Sequence, residues 1–156
     1  PEGVRGTAEM SALDHHSFLP LLEPVPALYS PYAEGHRRLE EARCPWSRLT
    51  EKTGVGTDDI LRRVGDFGLQ HYWSSHHPWV VPEPMTLEPC ETFSVEDLEE
   101  YAQVLEIIAR EAYDDPETVK NAPHKCAAHK RSAEHELDDP ARWATTWKAY
   151  KRKTGR

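Results

Sequence analysis

From about Val95 to Tyr113 the chain is committed to one long amphipathic helix, and any fold must be built around it. Leu98, Tyr101, Ala102, Leu105, Ile108, Ala109 and Ala112 recur with the 3.6-residue period of one buried stripe. Glu96, Glu99, Glu100, Glu106 and Glu111 fill the opposite, wet face. Ser94 followed by Asp97 gives a capping box in its acidic form at the start. A helix with one apolar stripe must bury it against other elements, and the rest of the chain limits what those elements are. Asp115-Pro116 opens a short helix that Pro123 ends, and Asp139-Pro140 opens a last one carrying Trp143, Ala144, Trp147 and Tyr150. Upstream, Thr57 or Asp58 caps a helix with Ile60, Leu61, Val64 and Phe67 on one face, and Gly68 stops it. Between that helix and the long one, Pro78, Pro82 and Pro84 allow only short strands, around Trp79–Val81 and Met85–Leu87. The sum is an α+β domain with a short sheet flanked by helices.

The first residues read differently. Pro20, Pro24, Pro26 and Pro31 interrupt regular structure, while Phe18, Leu19, Leu21, Leu22, Val25, Leu28 and Tyr29 are too apolar for a free linker. The expectation is an extended Pro-rich N-terminal arm lying on a partner, or a disordered tail, followed by a short helix over 31–44. This divides the chain into 1–45, arm and short helix for partner binding, and 46–156, the folded domain. The chain contains 13 prolines and 5 tryptophans, a pairing that also favours ordered arms and interfaces.

A formal net charge of −8 argues against general nucleic-acid binding. No apolar run approaches the ~20 residues that span a bilayer. No leader pattern supports secretion. The three cysteines, Cys44, Cys90 and Cys126, are widely spaced and odd in number, which suits a reducing cytoplasm better than a disulfide framework.

Nine histidines raise a metal question. Three groups stand out: His15-His16; His71 with His76-His77; and His124, His129 and His135 around Cys126. His124-x-Cys126-x2-His129 matches no common zinc signature, so no metal site is expected. Lone histidines are more often structural, and exposure accounts for His15-His16. Nucleophilic chemistry fares no better: there is no Gly-x-Ser-x-Gly elbow. Glu88 and Glu91 flank the Cys90 thiol and oppose thiolate formation. Two features remain. The dipeptides Glu83-Pro84 and Glu88-Pro89 bracket a short strand, and Glu88, Glu91 and Thr92 then lie just before a helix start, where the dipole favours carboxylates. This is either a helix-entry structure or one wall of a substrate cleft. His124 follows Pro123 on a stiff backbone, where an imidazole serves as hydrogen-bond partner or acid–base group, or simply packs. His76 and His77, before Pro78-Trp79, divide likewise between aromatic packing and a cleft wall.

Three segments together resemble the C-terminal domain of the glycine cleavage system P-protein, a pyridoxal-phosphate glycine decarboxylase. The likeness is to the second subunit of its two-subunit form, over about residues 50–150. Gly54-Val55-Gly56-Thr57-Asp58-Asp59-Ile60, with Asp66-Phe67-Gly68, is similar to that subunit's Gly-Val-x-Thr-x-Asp-Ile … Asp-Tyr/Phe-Gly helix. Val81-Pro82-Glu83-Pro84-Met85-Thr86-Leu87-Glu88-Pro89-Cys90-Glu91-Thr92 resembles its Val-Pro-Glu-Ala-Leu-Met-Ile-Glu-Pro-Thr-Glu-Thr/Ser segment, and Ala122-Pro123-His124 its Ala-Pro-His. The departures are Cys90 in place of Thr, the stretch His71–Trp79, and the Pro-rich arm where an apolar strand before Thr50 is the rule.

The resemblance implies the small C-terminal domain of a fold-type-I pyridoxal-phosphate enzyme. It implies that the cofactor lysine lies in a large domain on a bigger partner subunit, with no counterpart in this chain. The chain would be a split subunit or divergent paralogue, cytoplasmic, part of a hetero-oligomer, and not catalytic alone. It would close the cleft, His124 as the catalytic contribution and Glu88, Thr92, His76 and His77 as cleft wall. The cofactor acts as an electron sink for decarboxylation of a small amino acid such as glycine, and a lipoyl carrier protein would take the product. The alternatives are the same scaffold in another decarboxylation or a transamination, or a non-enzymatic interaction module.

Overall fold

A computed structural model describes residues 3–30, 42–70 and 80–124, with single positions at 147, 151 and 155. Two compact units divide the chain, Pro1–Cys126 and Ala127–Arg156. In the first, the described elements run α1 (Gly3–Leu22), β1 (Ala42–Pro45), α2 (Ser47–Thr53), α3 (Thr57–Asp66), β2 (Pro84–Leu87), α4 (Val95–Asp114) and α5 (Pro116–Lys120). In the second, the Trp147 ring lies 5.8 Å from Lys151 Nζ and the Gly155 amide donates to the Lys151 carbonyl. The rest of the helix expected after Asp139-Pro140 lies outside the described residues.

Helix α4 is the organiser that its periodicity predicts. Leu98, Tyr101, Ala102, Leu105, Ile108, Ala109 and Ala112 are all buried, joined by Val104. Complete burial of a side chain such as Leu105 or Ile108 contributes about 2 kcal/mol. The Ser94 hydroxyl accepts from the Asp97 amide, and the Asp97 carboxylate accepts from the Ser94 amide, which closes the capping box. The Ser94 amide and the Ser94 hydroxyl both donate to the Asp97 carboxylate and hold it below its ordinary pKa. Against α4 pack α1, α2, α3 and α5.

The sheet has two antiparallel strands, with Ala42 opposite Leu87 and Pro45 opposite Pro84. Pro45 and Pro84 face each other at the last rung, and neither has an N–H to offer a further strand. The fold is thus α+β, with its strand at Met85–Leu87 as expected. Val80–Glu83 is a bend rather than a strand, and Trp79 lies outside the described residues. Cys44, Met85 and Leu87 face the core, and Trp46 Nε1 lies 3.4 Å from Met85 Sδ. Burial pushes the Cys44 thiol up to about 12.

The N-terminal segment departs from expectation. Instead of an extended arm, Gly3–Leu22 is a helix. The prolines fall at and beyond its last turn: Pro20 forfeits one helical hydrogen bond, and Pro24 and Pro26 lie in the turns that follow. Nor do its apolar residues wait for a partner. Phe18, Leu22 and Val25 are buried in the same core as Trp46, Leu49 and Leu105, and Phe18 meets the Tyr101 ring edge-on at 6.2 Å. Residues on both sides of the 45/46 division therefore share one core. Tyr29 then ties the segment back to α2, its hydroxyl 3.0 Å from Ser47 Oγ and its ring 4.0 Å from the Arg48 guanidinium. His15, expected to be exposed, is fully buried. The short helix expected over 31–44 is also corrected: Ala42–Cys44 belongs to β1, because Ala42 and Cys44 supply the small core-facing residues of a strand. Residues 31–41 lie outside the described residues.

Helix α3 starts one position earlier than a Thr57 or Asp58 cap implies. Gly56 is the cap, its amide donating to Asp59 Oδ2. Glu83 supplies the missing side chain from across the sheet: its Oε2 accepts the Thr57 amide at 2.7 Å. A Cβ on Gly56 would come within 3.1 Å of that oxygen, so the glycine makes the close approach possible. The Glu83 carbonyl also accepts the Trp46 amide, and Glu83 holds a left-handed φ of 51° to do both. At the other end Gly68, at φ 82°, stops α3 as expected. No helix among the described residues is long and apolar enough to cross a membrane.

Candidate functional site

The end of α3, the end of α4 and the chain leaving α5 meet at one point. Asp66, the last residue of α3, has a side chain only 2% exposed. His124 arrives just beyond the cis Ala122–Pro123 bond and makes two contacts with that one carboxylate. Its backbone amide donates to Asp66 Oδ1 at 2.6 Å, and its ring Nδ1 lies 2.8 Å from Oδ2. Arg63, one turn back on α3, pairs with Asp66 Oδ2 at 2.9 Å. The same guanidinium grips Glu111 of α4 with two hydrogen bonds, Nε to Oε2 at 2.9 Å and NH2 to Oε1 at 3.0 Å. A two-point grip between guanidinium and carboxylate fixes orientation as well as charge. The Glu111 hydrogen bonds, with Asp66 adding and burial opposing, hold Arg63 above its ordinary pKa. Phe67 closes the cluster, its ring 5.0 Å from the Arg63 carbon.

Helix α5 sets the approach of His124. Asp115 caps it, accepting from the Thr118 amide and hydroxyl, and these bonds lower the Asp115 pKa. Val119 and Ala122 are fully buried, which pins the backbone on either side of the turn. The imidazole is about one third exposed. Buried charge on one side and solvent on the other leave one edge of the ring open.

The other expected site residues lie elsewhere. Glu88 and Thr92 are exposed in the turn that feeds α4. Thr92 Oγ1 is 3.0 Å from Cys90 Sγ, and the Phe93 amide donates to the Cys90 carbonyl, a local helix-entry turn. Glu111 and Val95 lie sixteen residues apart on α4, roughly 24 Å along its axis. The structure thus separates the Thr92 turn from His124, and no hydrogen bond joins Glu88 or Thr92 to His124 among the described residues. The Glu88–Thr92 turn instead docks on α1, where Ser11 Oγ donates to Glu91 Oε2 at 3.2 Å. His76, His77, Cys126, His129 and His135 lie outside the described residues. Among the described residues no group of three or more His, Cys, Asp or Glu is placed to hold a metal ion.

Sequence reasoning singled out His124 but missed its three supports. Arg63 and Asp66 do carry a signal, an i,i+3 charge pair at the end of a helix. Glu111 gave none, because it reads as one more acid on a wet face.

The described residues do not make a Schiff-base site for pyridoxal phosphate. Lys52 is exposed, its Nζ 5.8 Å from the Tyr113 ring, and Lys120 Nζ lies 3.5 Å from Glu117 Oε1. A cavity of about 510 Å³ beneath the end of α1 is lined by Leu19, Leu22, Leu28, Tyr29 and Cys44, with His16 and Glu23 at its edge, and no described lysine lines it.

No family model matches the chain. Curated relatives do. A probable glycine dehydrogenase (decarboxylating) subunit 2 from Pyrococcus horikoshii is 33% identical over 150 residues, covering 96% of this chain and 29% of the relative. The protein of the same name from Pyrococcus abyssi is 32% identical over 153 residues, again 96% and 29%. That from Thermotoga maritima is 44% identical over 77 residues, 49% of this chain and 16% of the relative. The chain thus spans less than a third of the length of the curated relatives it matches. Nearly the whole chain is matched by these relatives, which with the α+β fold is consistent with a C-terminal domain of the glycine cleavage system P-protein.

Proposed function

We propose that this chain is the small C-terminal domain of a heteromeric pyridoxal-phosphate glycine decarboxylase, and that it closes the active-site cleft over a larger partner subunit carrying the cofactor. The observation that carries this is the match of 96% of the chain to proteins named as subunit 2 of a decarboxylating glycine dehydrogenase. Pyridoxal phosphate, when bound there, supplies the electron sink for decarboxylation.

His124 is this chain's contribution to the chemistry. Its ring is anchored to a buried carboxylate on one side and open on the other, as a group must be that meets a substrate brought by another subunit. Closure excludes water and orients the small amino acid, glycine or a close relative. Glu88 and Thr92 form a second contact of the same docking, at the far end of α4, and His76 and His77 extend the cleft wall. A lipoyl carrier protein receives the product in a cytoplasmic assembly.

Co-expression with a larger subunit of the same family tests the assignment. The chain alone is expected to be colourless, and the co-purified complex to show the near-visible absorbance of bound cofactor and to release carbon dioxide from glycine. A yellow isolated chain, or no association with any such subunit, overturns it.

A further inference from the structure

The two contacts between His124 and Asp66 fix which ring nitrogen carries the proton. Asp66 is ion-paired with Arg63 at 2.9 Å, and an ionised carboxylate can only accept. The short approach of 2.8 Å between Asp66 Oδ2 and His124 Nδ1 therefore requires a proton on Nδ1. Arg63 NH1 lies 3.4 Å from the same nitrogen, but it too is only a donor, so a protonated Nδ1 turns to the closer carboxylate. The hydrogen bond made by one imidazole nitrogen sets the state of the other. With Nδ1–H engaged, the neutral ring has its lone pair on Nε2. This is the reverse of the form a free histidine side chain favours in water.

We infer that Asp66 is a positioning residue that holds His124 as its Nδ1–H tautomer, so that Nε2 meets the substrate as a hydrogen-bond and proton acceptor. The backbone contact from the His124 amide to Asp66 Oδ1 at 2.6 Å adds a second anchor, so the carboxylate fixes the position of the residue as well as its proton. Arg63 and Glu111 form the outer layer. The two-point grip of Glu111 on Arg63 aims the guanidinium at Asp66, and Arg63 keeps Asp66 charged without supplying a proton to the imidazole. The chemistry that such a nitrogen recognises is an N–H or O–H donor, an amine or ammonium group in the first instance. A carboxylate on the substrate would instead require the imidazolium. The ring state follows from this chain alone; its use on an amine substrate rests on the function proposed above.

Two measurements separate those claims. The first is a two-bond proton–nitrogen correlation spectrum of the ¹⁵N-labelled chain at a pH where imidazoles are neutral, with the His124 signals assigned by their loss in His124→Gln. Nδ1 is expected at the protonated position and Nε2 at the unprotonated one, and Asp66→Ala is expected to move the ring toward the Nε2–H form. An Nε2–H ring in the unaltered chain overturns the inference, and so does the same tautomer in Asp66→Ala. Should Asp66→Ala fail to fold, the spectrum of the unaltered chain decides. The second is turnover of the complex with the larger subunit. Asp66→Ala is expected to lower kcat on the order of 100-fold with KM little changed. A normal kcat from an assembled complex overturns the positioning role. If the spectrum is as expected while His124→Gln leaves turnover intact, it is the proposed function that fails and the ring assignment that stands.

Discussion

The two ends of α4 handle charge in opposite ways. At the C-terminal end Glu111, Arg63, Asp66 and His124 alternate acid, base, acid and imidazole, each within hydrogen-bonding distance of the next. At the N-terminal end Glu88, Glu91 and Thr92 are exposed, Glu91 accepts a hydrogen bond from Ser11 of α1, and one acid is set beside another. Asp14 of α1 is buried there, and desolvation, with the charge of Glu91 adding, raises its carboxyl above the ordinary value. One end is a preorganised arrangement that orients a single ring. The other is a docking corner whose charges are poorly matched. A sequence motif rich in acids thus marks either kind of place, and only the partners tell them apart.

The sharpest way to break this contrast is Arg63→Met. It takes the Arg63 guanidinium from the buried Asp66 carboxylate, and the expected loss is about 3 kcal/mol of stability, toward the low end for a broken buried pair because Arg63 is partly exposed. Urea unfolding measures it, and a loss below about 0.5 kcal/mol would put the two ends on equal terms. Next is Glu83→Ala, which removes the trans cap on the Thr57 amide and is expected to cost about 1 kcal/mol. Smaller still, Glu88→Ala and Thr92→Ala are expected to stay within about 0.5 kcal/mol of the unaltered chain. A larger cost would show that the turn is more than a surface.

The pH dependence sharpens the same comparison. Asp14 has a raised pKa in the folded chain, so the folded state binds its proton more readily than the unfolded state. The penalty is fully present above the folded pKa and is relieved as pH falls through it toward the ordinary carboxylate value. Asp14→Asn is therefore expected to raise stability at neutral pH by a few tenths of a kcal/mol, and the gain to fade in acid. Unfolding midpoints at neutral and acid pH check the sign; a destabilised Asp14→Asn at neutral pH contradicts it.

Helices α3, α4 and α5 were legible because their signals are local: the Ser94–Asp97 box, the stop at Gly68, and proline at the start of α5. Helix α1 was obscured by Pro20, Pro24 and Pro26, which are near in sequence but fall only at its end and beyond. Strand β1 is Ala-Arg-Cys-Pro, too short and too ambiguous to announce itself without β2 opposite. The same holds for the site. His124 stood out by its place after Pro123, whereas its supports belong to α3 and α4 and become neighbours only on folding. Glu83 and Gly56 show this most simply: two segments that look like separate motifs form one helix cap.

The most direct test of the central claim is release of carbon dioxide from carboxyl-labelled glycine by the larger cofactor-bearing subunit, with and without this chain. Turnover is expected only when both are present, and to fall sharply when the added chain carries His124→Gln. Equal turnover by the larger subunit alone, or turnover by this chain alone, would contradict it.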